Sequence, residues 1–181
     1  MQAGDVLLFT DWTLLRLFPP LRSAWAKAGQ QAEVLISGRN AKRVLFGTIN
    51  PRTGHRILVR RKQAGQVDAL ALFEEIRRRH RKTKTIWLLL DRAPSHIAGR
   101  VQQRAKQLRI ELVWLPKQWP ELNAMDQLWR ELKRLIAANR QAESVDELAE
   151  QAEQWLLSLS NRQALRKAGV LSKNFWLKDL L

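Results

Sequence analysis

The chain has 181 residues, no cysteine, three histidines and 32 Lys+Arg against 17 Asp+Glu, for a formal net charge of +15. That length suits one compact domain burying about 70% of its unfolded surface, and the absence of cysteine excludes disulfide staples, thiolate zinc sites and a cysteine nucleophile. No apolar run nears the ~20 residues of a membrane span and Met1–Phe9 lacks a secretory layout, so the expectation is a soluble cytoplasmic protein with no membrane partner.

Val6–Thr10 is a short apolar run of strand length that stops at Asp11. Asp11-Trp12-Thr13 leads to Phe18-Pro19-Pro20, where consecutive prolines forbid regular structure. Val34–Ile36 and Val44–Ile49 read as two further strands. The turn Asn50-Pro51-Arg52-Thr53-Gly54 then feeds His55–Val59 as the second arm of a hairpin, so the early part predicts an antiparallel meander. After Gly65 the pattern changes. Val67, Leu70, Phe73 and Ile76 recur every three residues, the expected apolar face of a helix that ends in the run Arg77–Lys82. Ile86–Leu90 predicts a strand buried on both faces, and it too stops at an aspartate, Asp91. A helix from about Ile97 to Leu108 and a strand at Ile110–Leu115 complete a strand–helix–strand series, which implies parallel pairing through right-handed crossovers.

Pro116 to Pro120 is a loop, after which Leu122, Met125, Leu128, Leu132 and Leu135 mark one face of a helix. Helices over Val145–Leu157 and Arg162–Ala168 follow, closed by Gly169 as a C′ glycine. The eight tryptophans are expected mostly in the core. The expected fold is one α/β domain over 1–181 with a mixed sheet, in which 140–181 forms a helical C-terminal extension.

In open α/β sheets, ligands bind beyond the carboxyl ends of the strands. Asp11 and Asp91 each follow a strand directly. If those strands are adjacent and parallel, both carboxylates reach one edge, where such pairs often hold Mg²⁺. With only His55, His80 and His96 available, a divalent metal must lean on carboxylates. Two close carboxylates raise one pKa unless a cation neutralises them. An aspartate after a strand is equally a turn former or helix N-cap. Asp126 falls in the first turns of a helix, where the dipole favours an acid in any case. It is one position off the Leu122–Met125–Trp129 stripe, at the edge of the buried face, and 34 residues separate it from Asp91.

Four segments carry a resemblance: Phe9-Thr10-Asp11; Trp25-Ala26-Lys27-Ala28-Gly29; Leu89-Leu90-Asp91-Arg92-Ala93-Pro94-Ser95-His96; and Leu115-Pro116 through Pro120-Glu121-Leu122-Asn123 to Trp129. From Gly4 to about Lys133 the chain resembles the catalytic domain of bacterial insertion-sequence transposases of the mariner superfamily, a branch of the DDE endonucleases with a ribonuclease H-like fold. Members usually read Leu-Pro-x-x-x-Pro-Glu-Leu-Asn-Pro-x-Glu/Asp-x-x-Trp in the last segment. Trp12 stands where Glu is usual, Arg92 where Asn or Glu is common, and Ala124 where Pro is usual; none of these replaces a metal ligand.

The resemblance implies a three-layer ribonuclease H-like fold, with a mixed five-stranded sheet (an antiparallel meander, then parallel strands) flanked by helices. It implies that Asp11, Asp91 and Asp126 bind two Mg²⁺ or Mn²⁺ ions. The reaction would be DNA phosphodiester cleavage followed by strand transfer in transposition, in a bacterial, nucleoid-associated setting. His96, Arg92 and Asn123 are positioning candidates beside those carboxylates, and Arg92 could instead touch a scissile phosphate. DNA, as transposon ends and target, is the expected partner.

Residues 1–110 hold 22 Lys+Arg against 7 Asp+Glu, and residues 111–181 hold ten of each. The basic excess belongs to a folded surface, because 45% hydrophobic content is too high for a disordered tail. The candidate DNA contacts are Arg39, Lys42 and Arg43; Arg60, Arg61 and Lys62; Arg77, Arg78, Arg79, Arg81 and Lys82; Lys117; and Trp119, which could stack on a base. Transposases of this type carry an N-terminal helix-turn-helix that recognises the element's ends. Here Asp11 comes almost at once, so that portion is expected to be absent or separately encoded, and a homodimer is a further expectation. A catalytically decayed, transposase-derived nucleic-acid-binding protein is the alternative reading.

Overall fold

The computed structural model describes residues 2–18, 25, 27–29, 40–137 and 142–181. The expected strand at Val34–Ile36, the Pro19-Pro20 break and Arg39 lie outside the described residues. Five strands form one sheet in the order β3-β2-β1-β4-β5. They are β1 (Val6–Arg16), β2 (Lys42–Ile49), β3 (Arg56–Arg61), β4 (Ile86–Leu90) and β5 (Ile110–Trp114). β1, β2 and β3 make the antiparallel meander, whereas β4 pairs in parallel with β1 and β5 in parallel with β4. This is the expected mixed sheet.

β1 does not stop at Asp11. Val6–Phe9 pair with β4, and from Phe9 to Arg16 the same strand pairs with β2. The strand therefore has a hydrogen-bonding neighbour for five residues after Asp11, and Leu15 still buries its side chain. The aspartate lies where the parallel neighbour ends, not where its own strand ends.

Side-chain alternation divides the core in two. One cluster joins Leu8, Ile86, Leu88 and Leu90 to helices α1 (Gln66–Arg79) and α3 (Gly99–Gln107). The other joins Leu7, Phe9 and Leu89 to α4 (Ala124–Leu132), α5 (Val145–Ser158) and α6 (Asn161–Lys167). The molecule is thus helix–sheet–helix in three layers, and the C-terminal α5 and α6 are two of the three helices of one layer. α6 closes with Gly169 at φ +74°. Val170 N–H donates to Leu165 C=O and Gly169 N–H to Arg166 C=O, the paired bonds of a Schellman cap.

Several expectations shift. The buried face of α1 is Ala69, Leu72, Phe73 and Ile76, while Val67 is 72% exposed. A strict spacing of three drifts round a helix of 3.6 residues per turn, so only the members that also fit i, i+4 stay inward. The helix expected from about Ile97 to Leu108 is α3 (Gly99–Gln107), set off by an extended Ala98 from a separate short helix before it, α2 (Pro94–Ile97). The break falls beside Gly99, which costs roughly 1 kcal/mol against alanine inside a helix. Leu135 falls in a π turn (Lys133–Ala137) after α4 and is exposed. Of the eight tryptophans only Trp129 is buried; Trp25, Trp119 and Trp176 are exposed and the others half-buried.

Candidate active site

The parallel register of β1 and β4 runs from Val6 opposite Ile86 to Phe9 opposite Leu89. Two more residues along both chains bring Asp11 level with Asp91. Both belong to the alternation set of Phe9 and Leu89, which faces α4, so their carboxylates emerge on the α4 side of the sheet.

Asn123 supplies the third element. It is the N-cap of α4: its Oδ1 accepts from Met125 N–H at 3.0 Å, and its Nδ2 donates to Thr10 C=O at 2.9 Å. One buried amide therefore starts the helix and ties that start to the residue before Asp11. Asp126, in the first turn of α4, is held over the sheet edge by this tie. Gly47, opposite Asp11 in β2, lets the helix approach. A Cβ there would lie 2.7 Å from Met125 Cε and from the Trp129 ring.

Asp11, Asp91, Asp126 and Asn123 line one cleft of about 580 Å³, with Trp12, Arg92 and the Leu115–Pro120 loop. Arg92, Lys117 and Trp119 are exposed on its walls, Trp119 at 56%. Within the loop Gln118 takes a left-handed φ of +62°, which turns the chain sharply before Trp119.

The three carboxylates sit in different environments. The Asp11 carboxyl is pushed up to about 7, by burial first and with smaller contributions from the neighbouring Asp91 and Asp126, while the Trp12 backbone N–H and Lys133 oppose the rise. Asp91 is held below the ordinary range, chiefly by accepting a hydrogen bond from His96 Nδ1 at 2.9 Å. His96 is 1% exposed, so it is a fixed donor and not a surface group. Ala93 N–H also donates to Asp91. Arg130 Nε lies 2.7 Å from Asp126 Oδ2, yet that oxygen is buried without an aligned hydrogen bond. We read this contact as charge pairing, because the N–H does not point at the oxygen.

Among the described residues, no three His, Asp or Glu groups are close enough to enclose an ion. His96 and Arg130 each engage one carboxylate. The donor set nevertheless suits a hard divalent cation: all-oxygen, clustered on one cleft, with a buried carboxyl whose ionisation is opposed by its neighbours and an under-bonded Asp126 oxygen.

The remaining expected contacts divide. Lys117, Trp119 and Arg92 lie at the cleft. Lys42 and Arg43 (in β2) and Arg60, Arg61 and Lys62 (at the end of β3) flank the strand ends beyond it. Arg43 is committed to Asp146 at 2.6 Å, Arg60 lies near Glu153, and Arg61 near Asp68. Arg77, Arg78, Arg79, Arg81 and Lys82 are not brought to the cleft. Lys84 N–H bonds to Gly4 C=O and Val6 N–H to Thr85 C=O, which places that run at the opposite end of β1 and β4. Sequence reasoning missed Gly47, Arg130 and Lys133. A glycine inside a strand and the i, i+4 acid–base pair of Asp126 and Arg130 were the available signals for the first two.

A family model described as DDE superfamily endonuclease matches residues 6–149. An insertion element IS630 uncharacterized 39 kDa protein of Shigella sonnei is 24% identical over 160 residues, which is 88% of this chain and 47% of that protein. Among solved structures, the mariner Mos1 paired-end complex with Mg superposes with a TM-score of 0.73 at 17% identity, covering 95% of this chain and 54% of that one. The catalytic domain of Mos1 mariner transposase gives a TM-score of 0.66 at 14% identity, covering 93% and 78%. The chain thus spans about half the length of the curated relative it matches.

Proposed function

This chain belongs to the DDE superfamily of endonucleases, and from that premise we propose that it is the catalytic domain of a transposase of the insertion-sequence and mariner branch. It cleaves DNA phosphodiesters and joins the resulting ends to a target in a divalent-metal-dependent reaction. The observation that carries the reading is the meeting of Asp11, Asp91 and Asp126, from two parallel strands and a helix start, on one cleft. The resemblance to the insertion-element protein and to the Mos1 complexes supports the transposition reading.

Asp11, Asp91 and Asp126 are the residues that would hold two Mg²⁺ or Mn²⁺ ions. Such ions supply Lewis acidity, lowering the pKa of an attacking water and stabilising the leaving oxygen. The chain's own groups do the positioning. His96 keeps Asp91 ionised and fixed, Asn123 holds Asp126 over the strand ends, and Trp12 packs beneath the cleft against the α1 side of the core. Arg92 and Lys117 are placed to contact the phosphates flanking the scissile bond, and Trp119 to stack against a base there. Water attacks phosphorus in line and gives up a proton to solvent; the P–O3′ bond breaks, its electron pair leaves with the 3′-oxygen, and that oxygen takes up a proton to become a 3′-hydroxyl. The freed 3′-hydroxyl then attacks a target phosphodiester in line, giving up its proton to solvent as its oxygen bonds to phosphorus; the target's own P–O3′ bond breaks and its 3′-oxygen leaves and takes up a proton, with no covalent protein intermediate.

Phosphate-directed cations carry no base readout, so recognition of transposon ends is assigned to a separately encoded or adjoining portion. Pairing of ends is assigned to a homodimer. Among the described residues no helix is long and apolar enough to cross a membrane, and the bacterial relative supports a setting on nucleoid DNA. The test is Asp91→Asn. Metal-dependent nicking of a short duplex is expected to fall by at least about 10²-fold with the fold unchanged; wild-type nicking by the variant would overturn the assignment.

A further inference from the structure

The end of the sheet away from the cleft carries its own concentration of positive charge. Lys84 N–H bonds to Gly4 C=O, Val6 N–H to Thr85 C=O and Ile86 N–H to Arg109 C=O. The end of α1, the turn after it and the start of β5 are thereby gathered where β1 and β4 begin. Arg78, Arg79, Arg81, Lys82, Lys84 and Arg109 are all exposed there. Glu75 is consumed by Arg78 and Arg79, and Asp5 is bonded to Gln2 N–H and Trp87 Nε1–H. Arg81, Lys82 and Arg109 make no ion pair among the described residues. Arg77 donates from Nη1 to Thr83 C=O and so braces the turn that displays Arg81 and Lys82. The neighbouring His55 and His80 are both held below the ordinary range, His55 by burial and then by Arg56 and Arg79, His80 by burial and then by His55 and Arg77.

Seven residues of chain at about 3.3 Å each separate Lys84 from Asp91, so this surface lies about 20 Å from the candidate carboxylates. The two surfaces face opposite ends of the strands, with the sheet and both helical layers between them. A duplex seated in the cleft leaves the far end open.

We propose that this far basic end, centred on Arg81, Lys82, Lys84 and Arg109, is a second docking surface for the phosphate backbone of a separate DNA segment, so that one chain holds two duplexes at once. The contacts are directed at phosphates and carry no sequence preference. Their display by a braced turn fixes where the second segment lies relative to the cleft.

The experiment is duplex bridging in EDTA: a bead-bound duplex, the full chain, and capture of a second, fluorescent duplex of unrelated sequence. Reading it without metal separates it from cleavage, so a protein that never nicks would overturn the proposed function and leave this inference standing. The triple variant Arg81→Ala/Lys82→Ala/Lys84→Ala is expected to lose at least tenfold in capture. The slope of log Kobs against log salt should also become shallower by about 2.7, at roughly 0.9 per phosphate contact. The charge-preserving triple Arg81→Lys/Lys82→Arg/Lys84→Arg is expected to restore capture, which loss of folding in the alanine variant would not explain. The cleft variant Arg92→Ala/Lys117→Ala should also lose capture. Wild-type capture by either alanine variant would mean that copies of a single surface bridge the duplexes, and would overturn the proposal. Failure of the charge-preserving triple to restore capture would overturn it as well.

Discussion

Asp11→Asn should make the metal-free protein more stable, and only on the alkaline side. The wild-type carboxyl titrates at about 7 in the folded chain against an ordinary 3.8, so folding favours its protonated form. Below pH ~4 both states carry the proton and the substitution changes little. As pH rises from ~4 to ~7 the folded state loses stability progressively, and above ~7 the whole penalty is present. A carboxyl displaced this far loses about 4 kcal/mol of folded-state stability on ionising. Relaxation of the cleft will reduce that figure, so a gain of about 2–4 kcal/mol is expected at pH 8. Denaturant unfolding at pH 4.5 and pH 8 in EDTA measures it directly. Adding Mg²⁺ at pH 8 should stabilise wild type more than the variant, because only the wild type recovers the buried negative charge on binding. A variant no more stable than wild type at pH 8, or equally shifted at both pH values, would refute the reasoning that burial and neighbouring carboxylates load this position.

Three further substitutions probe how the site is held. Gly47→Ala places a Cβ 2.7 Å from Met125 Cε and the Trp129 ring; it should cost about 1–3 kcal/mol in chemical denaturation and lower nicking by moving α4. Asn123→Asp keeps the N-cap acceptor but loses the Nδ2 bond to Thr10, whereas Asn123→Ala loses both. The alanine variant should therefore lose about 0.5–2 kcal/mol more from the cap, and both should nick more slowly than wild type at saturating metal. His96→Ala removes the main influence holding Asp91 below the ordinary range, so the acid limb of the nicking pH profile should move to higher pH. A profile unmoved by the substitution would show that His96 does not control Asp91.

The parts of the molecule that announced themselves in sequence were those whose local pattern and tertiary role agree. Ile86–Leu90 is apolar throughout because both its faces are covered, and its limits were legible to the residue. The Pro-Glu-Leu-Asn segment carried Asn123 and Asp126 together. What was hidden depended on neighbours distant in the chain. Whether β1 continues past Asp11 depends on β2, which begins more than thirty residues after Asp11. The inward face of α1 is set by where Phe73 and Ile76 meet the sheet, and Val67 has no partner there to bury it. The basic residues looked like one class in composition. In three dimensions Arg43 is tied to Asp146 and Arg78 and Arg79 to Glu75, while Arg92 and Lys117 reach the cleft and Arg81 and Lys82 face the far end.

If Asp11, Asp91 and Asp126 form one metal-binding cleft, the ions they hold can be counted. Titrating the full chain with Mn²⁺, and counting bound ions by electron paramagnetic resonance of the free ion, tests it without any assumption about the DNA. Two ions are expected on the wild type, with Asp11→Asn, Asp91→Asn and Asp126→Asn each losing at least one or weakening its binding more than about tenfold. Unchanged stoichiometry and affinity in all three variants would contradict it.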